Sequence, residues 1–374
     1  MDSLTPQAAT GPVTALDLVA LGLLPGAGCV AVQRTLEHFG TAKKAMDAGV
    51  TALAPVIGLT PQRLRAGGYP HDVRRKALVI LRRCAEGAID VVTVEMPAYP
   101  DRLRHLHDPP PFLFLRGDAS LLARRSVAIV GSRRATAYGR RTAEELAGAL
   151  ARAGVVVVSG LALGIDGAAH RGCLAAGGPT VAVLGSGPDV LTPSSHAGLG
   201  RQILRTGLIV SEFLPGDPPL AHHFPRRNRV LAALADAVVV VEAAARSGAL
   251  ITVGHALDLG RDVFAVPGLL GTPSSEGSNA LIRDGAGMIT SVAEFVALVT
   301  GDERADSEGA QPEPSNMGAE ALELWRALGD GAVGVDRLAH LVRLTPAQAL
   351  AGLAELEIVG WVVRDSGMRF RRSA

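Results

Sequence analysis

Two arginine-rich stretches dominate the chemistry open to this sequence. Residues 124–141 hold six arginines (Arg124, Arg125, Arg133, Arg134, Arg140 and Arg141) and no acid. A second run, His222-His223-Phe224-Pro225-Arg226-Arg227-Asn228-Arg229, adds three more. Guanidinium forks match phosphate geometry bidentately, and there is little alternative cation: among 37 basic residues only Lys43, Lys44 and Lys76 are lysines. Small-residue turns close the apolar runs nearby: Gly131-Ser132-Arg133-Arg134, Ser159-Gly160-Leu161-Ala162 and Gly185-Ser186-Gly187. Backbone amides in such turns approach a phosphate closely, and each following helix adds the positive end of its dipole. The blander reading makes the arginine pairs solvated helix faces and the glycines tight turns. Arg133 and Arg134 entering one helix, with Arg226–Arg229 beginning another, favour phosphate binding.

Other chemistries fare worse. Asp166 and His170 stand four apart on one helix, but no Ser or Cys nucleophile of recognisable context accompanies them. Asp166 reads instead as a helix cap or dipole partner. Glu242, at a strand end, could be a general base, but a structural partner for a neighbouring arginine fits better. The His222-His223 pair lacks a third ligand at metal-site spacing, and Cys29, Cys84 and Cys173 are too far apart for a zinc ribbon or disulfide framework. No lysine follows a glycine, which excludes a phosphate loop of the Walker type, and the G-x-G-x-x-G dinucleotide fingerprint is absent. We therefore expect no catalytic residue, no metal and no cofactor. The formal net charge of +1 provides no global field, so charge recruitment must be local. No basic leader enters an apolar run, and no apolar run reaches 18 residues, so the expectation is a cytoplasmic protein without a membrane span.

The elements that position these residues follow from texture. Residues 1–98 read as short helices broken by Gly and Pro, a small helical domain of SAM-like or helix–hairpin–helix-like character. Its Leu24-Pro25-Gly26-Ala27-Gly28 turn could accept a phosphate or could simply cap helices. From 99 to 300, after a proline-held bridge, apolar runs alternate with helical stretches. The runs are Val127–Val130, Val155–Val158, Thr180–Leu184, Leu208–Ser211, Ala237–Val241 and Val263–Val266. Such runs suit strands buried on both faces, so the fold class is α/β, a Rossmann-like doubly wound parallel sheet. Residues 301–317 are acidic and proline-containing, the composition of a disordered linker. Residues 318–374 read as three helices and a hairpin, a winged helix. Its third helix, Pro346–Glu357, carries no basic residue, while Arg364, Arg369, Arg371 and Arg372 gather in the wing, which argues against major-groove reading. Rings for base stacking are few; Tyr138 and Phe224 adjoin the arginine clusters, and Phe224 either stacks on a base or anchors its helix to the sheet.

An ordered series of strings resembles the DNA-processing protein DprA/Smf family. It includes Val127-Ala-Ile-Val-Gly-Ser-Arg133, Val158-Ser-Gly-Leu-Ala162, Phe224-Pro-Arg-Arg-Asn-Arg229, Ser247-Gly-Ala-Leu-Ile-Thr252 and Val266-Pro-Gly268. The resemblance spans about 99–290 and implies single-stranded-DNA binding during natural transformation, protection of incoming DNA and loading of a RecA-type recombinase. The partners it implies are single-stranded DNA, that recombinase, a single-strand-binding protein and a second copy of the chain. The expected DNA-binding residues are Gly131, Ser132, Arg133, Arg134, Arg140, Ser159, Gly160, Ala162, Phe224, Arg226, Arg227, Asn228 and Arg229. Two departures touch one side of the pocket: Leu163 stands where the family commonly has Arg, and Leu191-Thr-Pro-Ser-Ser-His196 replaces a Tyr-Pro…Asn pattern. The alternative is a nucleotide phosphoribohydrolase-type enzyme on a similar fold, although Ser247–Thr252 lacks that group's paired glycines and downstream glutamate.

Overall fold

The computed structural model describes residues 12–301, 317–328, 333–365 and 367–372. Two compact units divide the chain between Glu303 and Arg304.

The first unit is built on a nine-stranded sheet: β1 (Asp90–Thr93), β2 (Phe112–Gly117), β3 (Ser126–Val130), β4 (Val156–Ser159), β5 (Thr180–Val183), β6 (Leu208–Ser211), β7 (Ala237–Val240), β8 (Asp262–Ala265) and β9 (Gly287–Met288). Their spatial order is β1-β2-β6-β5-β4-β3-β7-β8-β9. Strands β3 to β7 are buried along their whole length because helices cover both faces, which is why they read as continuous, mostly apolar runs rich in β-branched residues. The helices Ala137–Arg152 and Ile165–Ala175 pack on one side of the sheet, over Val127, Ile129, Val157 and Val239. His223–Leu234 and Ala249–Asp258 pack on the other, over Ala128, Val158 and Val238.

Strands β3 to β9 pair in parallel, and β2 alone runs against the rest: β1 pairs antiparallel with β2, and β2 antiparallel with β6. Strand β2 begins directly after the proline-held bridge, where no strand was expected. It also ties the helical region to the sheet, since Phe112 and Phe114 belong to the core of helices Pro12–Gly22 through His71–Glu86. The boundary expected at 98/99 therefore does not coincide with a break in packing.

The second unit contains the helices Ala319–Ala327, Val335–Leu341 and Pro346–Ile358 with a sheet in the order β10-β12-β11, where β10 is Val333–Gly334, β11 Val362–Asp365 and β12 Arg369–Arg372. Thr345 starts its third helix with a capping box to Gln348. Leu324, Trp325, Leu338, Leu353 and Phe370 form its core. The linker expected between the units lies, from 302 to 316, outside the described residues.

Candidate nucleic-acid interface

The chain order reverses beside β3, which pairs with β4 on one side and with β7 on the other. At such a switch point the loops leaving two neighbouring strands diverge and open a crevice at their carboxyl ends. Here the crevice is a cleft of about 580 Å³. Its walls are the Gly131–Arg134 turn, Ala162, the helix His223–Leu234 through Phe224, Arg227 and Asn228, and the segment Ser247–Ala249.

Glu242 holds one wall. The Ser132 amide donates to the Glu242 carbonyl at 2.7 Å. The buried Glu242 carboxylate accepts from the Thr136 amide at 3.0 Å and the Thr136 hydroxyl at 3.1 Å. Thr136 in turn caps the helix Ala137–Arg152 by accepting from the Gly139 amide. Glu242 is thus structural, but its partner is Thr136 and not the neighbouring arginine expected. Two glycines let the backbones meet. A Cβ on Gly131 would stand 2.6 Å from Ile165, and one on Gly164, whose φ is +78°, would stand 2.1 Å from the Ser132 carbonyl oxygen.

The arginines separate into two groups. Arg133 and Arg134 are exposed at the cleft mouth, and Arg140 is exposed one turn into the following helix, where it donates to the Ala135 carbonyl. The Arg133 guanidinium lies 4.8 Å over the Phe224 ring centroid, and the same ring packs against Gly185. Phe224 therefore anchors its helix and carries Arg133. Arg227 is buried, donating to the carbonyls of Gly160 (2.7 Å) and Val183. Burial lowers its pKa against the opposing pull of Asp166. Gly160 is required there, because a Cβ would lie 2.4 Å from the Arg227 guanidinium. Asn228 bridges Arg227 to the Gly248 carbonyl.

Arg226 and Arg229 point elsewhere. Arg229 is 3% exposed, bound to Glu212 at 2.6 Å and Asp108 at 3.2 Å, and the partly exposed Arg226 donates to the same Glu212 at 3.0 Å. Both also touch the Cys29 thiol. Burial pushes the Glu212 pKa up against the pull of Arg229 and Arg226. The expectation that Arg229 contacts phosphate is corrected: its charge is consumed by two carboxylates inside the fold. Ser159 is likewise withdrawn from the cleft, fully buried and donating to the Ile129 carbonyl at 2.6 Å.

Asp166 lies in the first turn of Ile165–Ala175, where its carboxylate faces the Ala162 amide at 3.4 Å. Burial raises its pKa against the pull of Arg227. His170 is fully buried and donates through Nδ1 to Thr180 Oγ1 at 2.8 Å, since that hydroxyl itself donates to the Val157 carbonyl. Burial pushes its pKa down to about 3. His170 is thereby tied to the sheet, while Asp166 also lines the cleft beside Arg133 and Arg227. Among the described residues no cluster of three metal-ligating side chains occurs, and no helix is long and apolar enough to cross a membrane. In the second unit, Arg372 of the wing packs 4.0 Å over the Trp325 ring and donates to the Trp325 carbonyl, which makes it a structural residue.

The family model for DNA recombination-mediator protein A matches residues 90–300, the span that holds this whole cleft. The chain belongs to the DNA recombination-mediator protein A family. A second model, the DprA winged helix domain, matches residues 308–368. Protein Smf of Escherichia coli (strain K12) is 38% identical over 291 residues, covering 76% of this chain and 78% of that protein. The DNA processing protein DprA of Streptococcus pneumoniae has a solved structure that aligns with a TM-score of 0.63 at 32% identity, over 78% of this chain and 98% of that one. DNA processing protein A from Helicobacter pylori, whose structure concerns its single-stranded DNA binding mode, aligns with a TM-score of 0.53 at 32% identity, over 57% and 97%.

Within this DprA-type cleft, Ser247, Gly248 and Thr252 were absent from the expected site although their string carries the resemblance. They follow β7, directly across the switch point from the Arg133 turn. Their position after a strand end was the signal that could have placed them.

Proposed function

We propose that this protein is a non-enzymatic single-stranded-DNA-binding protein whose cleft at the β3/β7 switch point grips the backbone of the strand. One observation carries the reading. Arg133, exposed and seated on the Phe224 ring, stands at the mouth of a cleft walled by small residues and helix starts, with Arg134 beside it and Arg140 one turn on. A guanidinium held on a ring is preorganised for phosphate without being neutralised by a carboxylate. Arg227 and Asn228 act from behind by shaping the wall. The sheet domain holds this interface; in the sequence the helical region precedes that domain and the winged helix follows it.

Family membership supports the finer reading: action on incoming DNA in natural transformation, in the cytoplasm, with delivery of the strand to a RecA-type recombinase and exchange with a single-strand-binding protein. Self-association is supported by the exposed apolar residues Leu269, Leu270 and Met288, the last on edge strand β9. The test is a salt series of binding to single-stranded and duplex oligonucleotides. The reading expects preference for single strands and a log–log slope of about −0.7 per phosphate contact. Preference for duplex, or salt-insensitive binding, would overturn it.

A further inference from the structure

The loop that forms one wall of the cleft is held in a costly conformation, and the group that holds it comes from another segment. Between β4 and the helix Ile165–Ala175, Leu161 adopts φ +57°. A non-glycine residue in the left-handed region persists only where its surroundings over-determine it. From below, the fully buried Leu161 side chain packs with Leu184, Leu199 and Ile203. From the side, the Leu161 carbonyl accepts a hydrogen bond of 3.0 Å from His196 Nδ1. His196 ends the short turn Ser194–His196 and rests against Gly167, where a Cβ would lie 2.4 Å from the imidazole. The turn follows Thr192 and Pro193, which line a small recess shared with Arg133, Leu163 and Phe224. One imidazole therefore joins two walls: the strained loop that presents Ala162 and Leu163, and the segment entering the helix Ala197–Thr206.

We infer that His196 is a positioning residue for single-strand binding: by clamping the Leu161 carbonyl it fixes the Ala162–Leu163 wall against Arg133 and Phe224, without itself contacting the strand. The inference rests on the cleft being the DNA site. The bond requires the proton on Nδ1, because the partner is a carbonyl oxygen. The amide nitrogen of an asparagine reaches the same distance from the backbone as Nδ1 and can replace the donor, whereas alanine cannot and glutamine places its amide one carbon too far.

The experiment compares H196A, H196Q and H196N in the full chain with two readouts. Binding to a single-stranded oligonucleotide should weaken roughly five- to tenfold in H196A, the loss of one hydrogen bond's worth of order. Its salt slope should stay unchanged, because no phosphate contact is removed. H196N should bind within about twofold of the native protein and H196Q should lie between. Amide exchange across residues 160–164, measured without DNA, should accelerate in H196A and recover in H196N. Native-like exchange and native-like affinity in H196A would overturn the inference, as would H196A losing salt slope. If H196A folds poorly, H196Q decides: native affinity and native exchange in it would overturn the clamp. Were the native protein itself not to bind single strands, the site reading would fall, while the exchange data would still decide whether His196 holds the loop.

Discussion

Two arginines of like appearance in the sequence have different fates, a buried histidine has a third, and each can be tested alone. Arg133 is exposed on Phe224, so R133A should weaken single-strand binding by roughly 1.5–3 kcal/mol and reduce the salt slope by about 0.7, with the thermal midpoint unmoved. Unchanged affinity in a folded R133A would remove the cleft from the DNA path. Arg229 is buried between Glu212 and Asp108, so R229A should instead lower the unfolding free energy. Breaking a buried pair costs about 3–5 kcal/mol, and the lower end applies because Arg226 still reaches Glu212. Urea denaturation reads this, and a native midpoint would contradict the assignment. His170 gives the pH dependence. Its folded pKa of about 3 lies below its ordinary value of 6.5, so between those values the unfolded chain binds a proton that the folded chain refuses. Stability therefore falls as pH drops through that window, by up to about 1.4 kcal/mol per unit. Asp166 and Glu212, raised by burial, act in the opposite sense: they favour the fold on protonation and lose that contribution as pH rises through their folded values. The histidine's share is isolated by H170Q, whose urea midpoint should depend less steeply on pH from 6.5 to 4. Identical slopes would show that His170 is not the proton acceptor.

At the scale of elements, periodicity decides what composition could not. On the helix His223–Leu234, residues 224, 227, 228 and 231 share one face and line the cleft, while 226 and 229 share another and meet Glu212. The expected site treated the arginine run as one unit; splitting it at helical spacing would have separated Arg227 from Arg229, though not revealed that both are buried. Strands β3 to β7 were legible because a strand covered on both faces is predominantly apolar. Strand β2 was not, because Pro109-Pro110-Pro111 before it reads as a bridge, and its antiparallel pairing depends on the path of the chain and not on composition. The turns at the site were legible as glycines whose reason was hidden. Gly164 is the sharpest case: φ +78° and the Ser132 carbonyl leave no room for a side chain. G164A should cost more than about 1 kcal/mol of stability and weaken DNA binding together with it. Calorimetry and titration of that variant showing neither effect would mean that the two turns do not interlock.

At the scale of the whole molecule, the division between Glu303 and Arg304 predicts that the units fold separately. Deleting residues 318–374 should leave the sheet unit cooperative in thermal unfolding and its single-strand affinity nearly intact, since the third helix of the winged unit has no basic residue and Arg372 is spent on Trp325. A large loss of affinity would place part of the DNA path on the wing. If two copies associate, affinity should rise steeply once an oligonucleotide is long enough to bridge two clefts. An affinity already maximal at one cleft's length would argue against pairing on DNA.

The place of β3 in the middle of the sheet has a consequence for how the chain is made. Its far neighbour, β7, begins at Ala237, and β2 waits for β6 at Leu208. During synthesis at about 5–20 residues per second, β3 would emerge roughly 5–20 s before the strand that closes its second edge. For that interval a strand that is apolar from Val127 to Val130 presents an open ladder, an arrangement prone to pairing with the wrong chain. The helices up to Glu86, by contrast, need only β1 and β2 to complete their core, so they can fold early and shield Phe112 and Phe114. Nascent chains arrested at residue 236 should therefore hold chaperones more strongly than chains arrested at 118 or released at 301, and the burden of quality control for this protein falls in the middle of its translation.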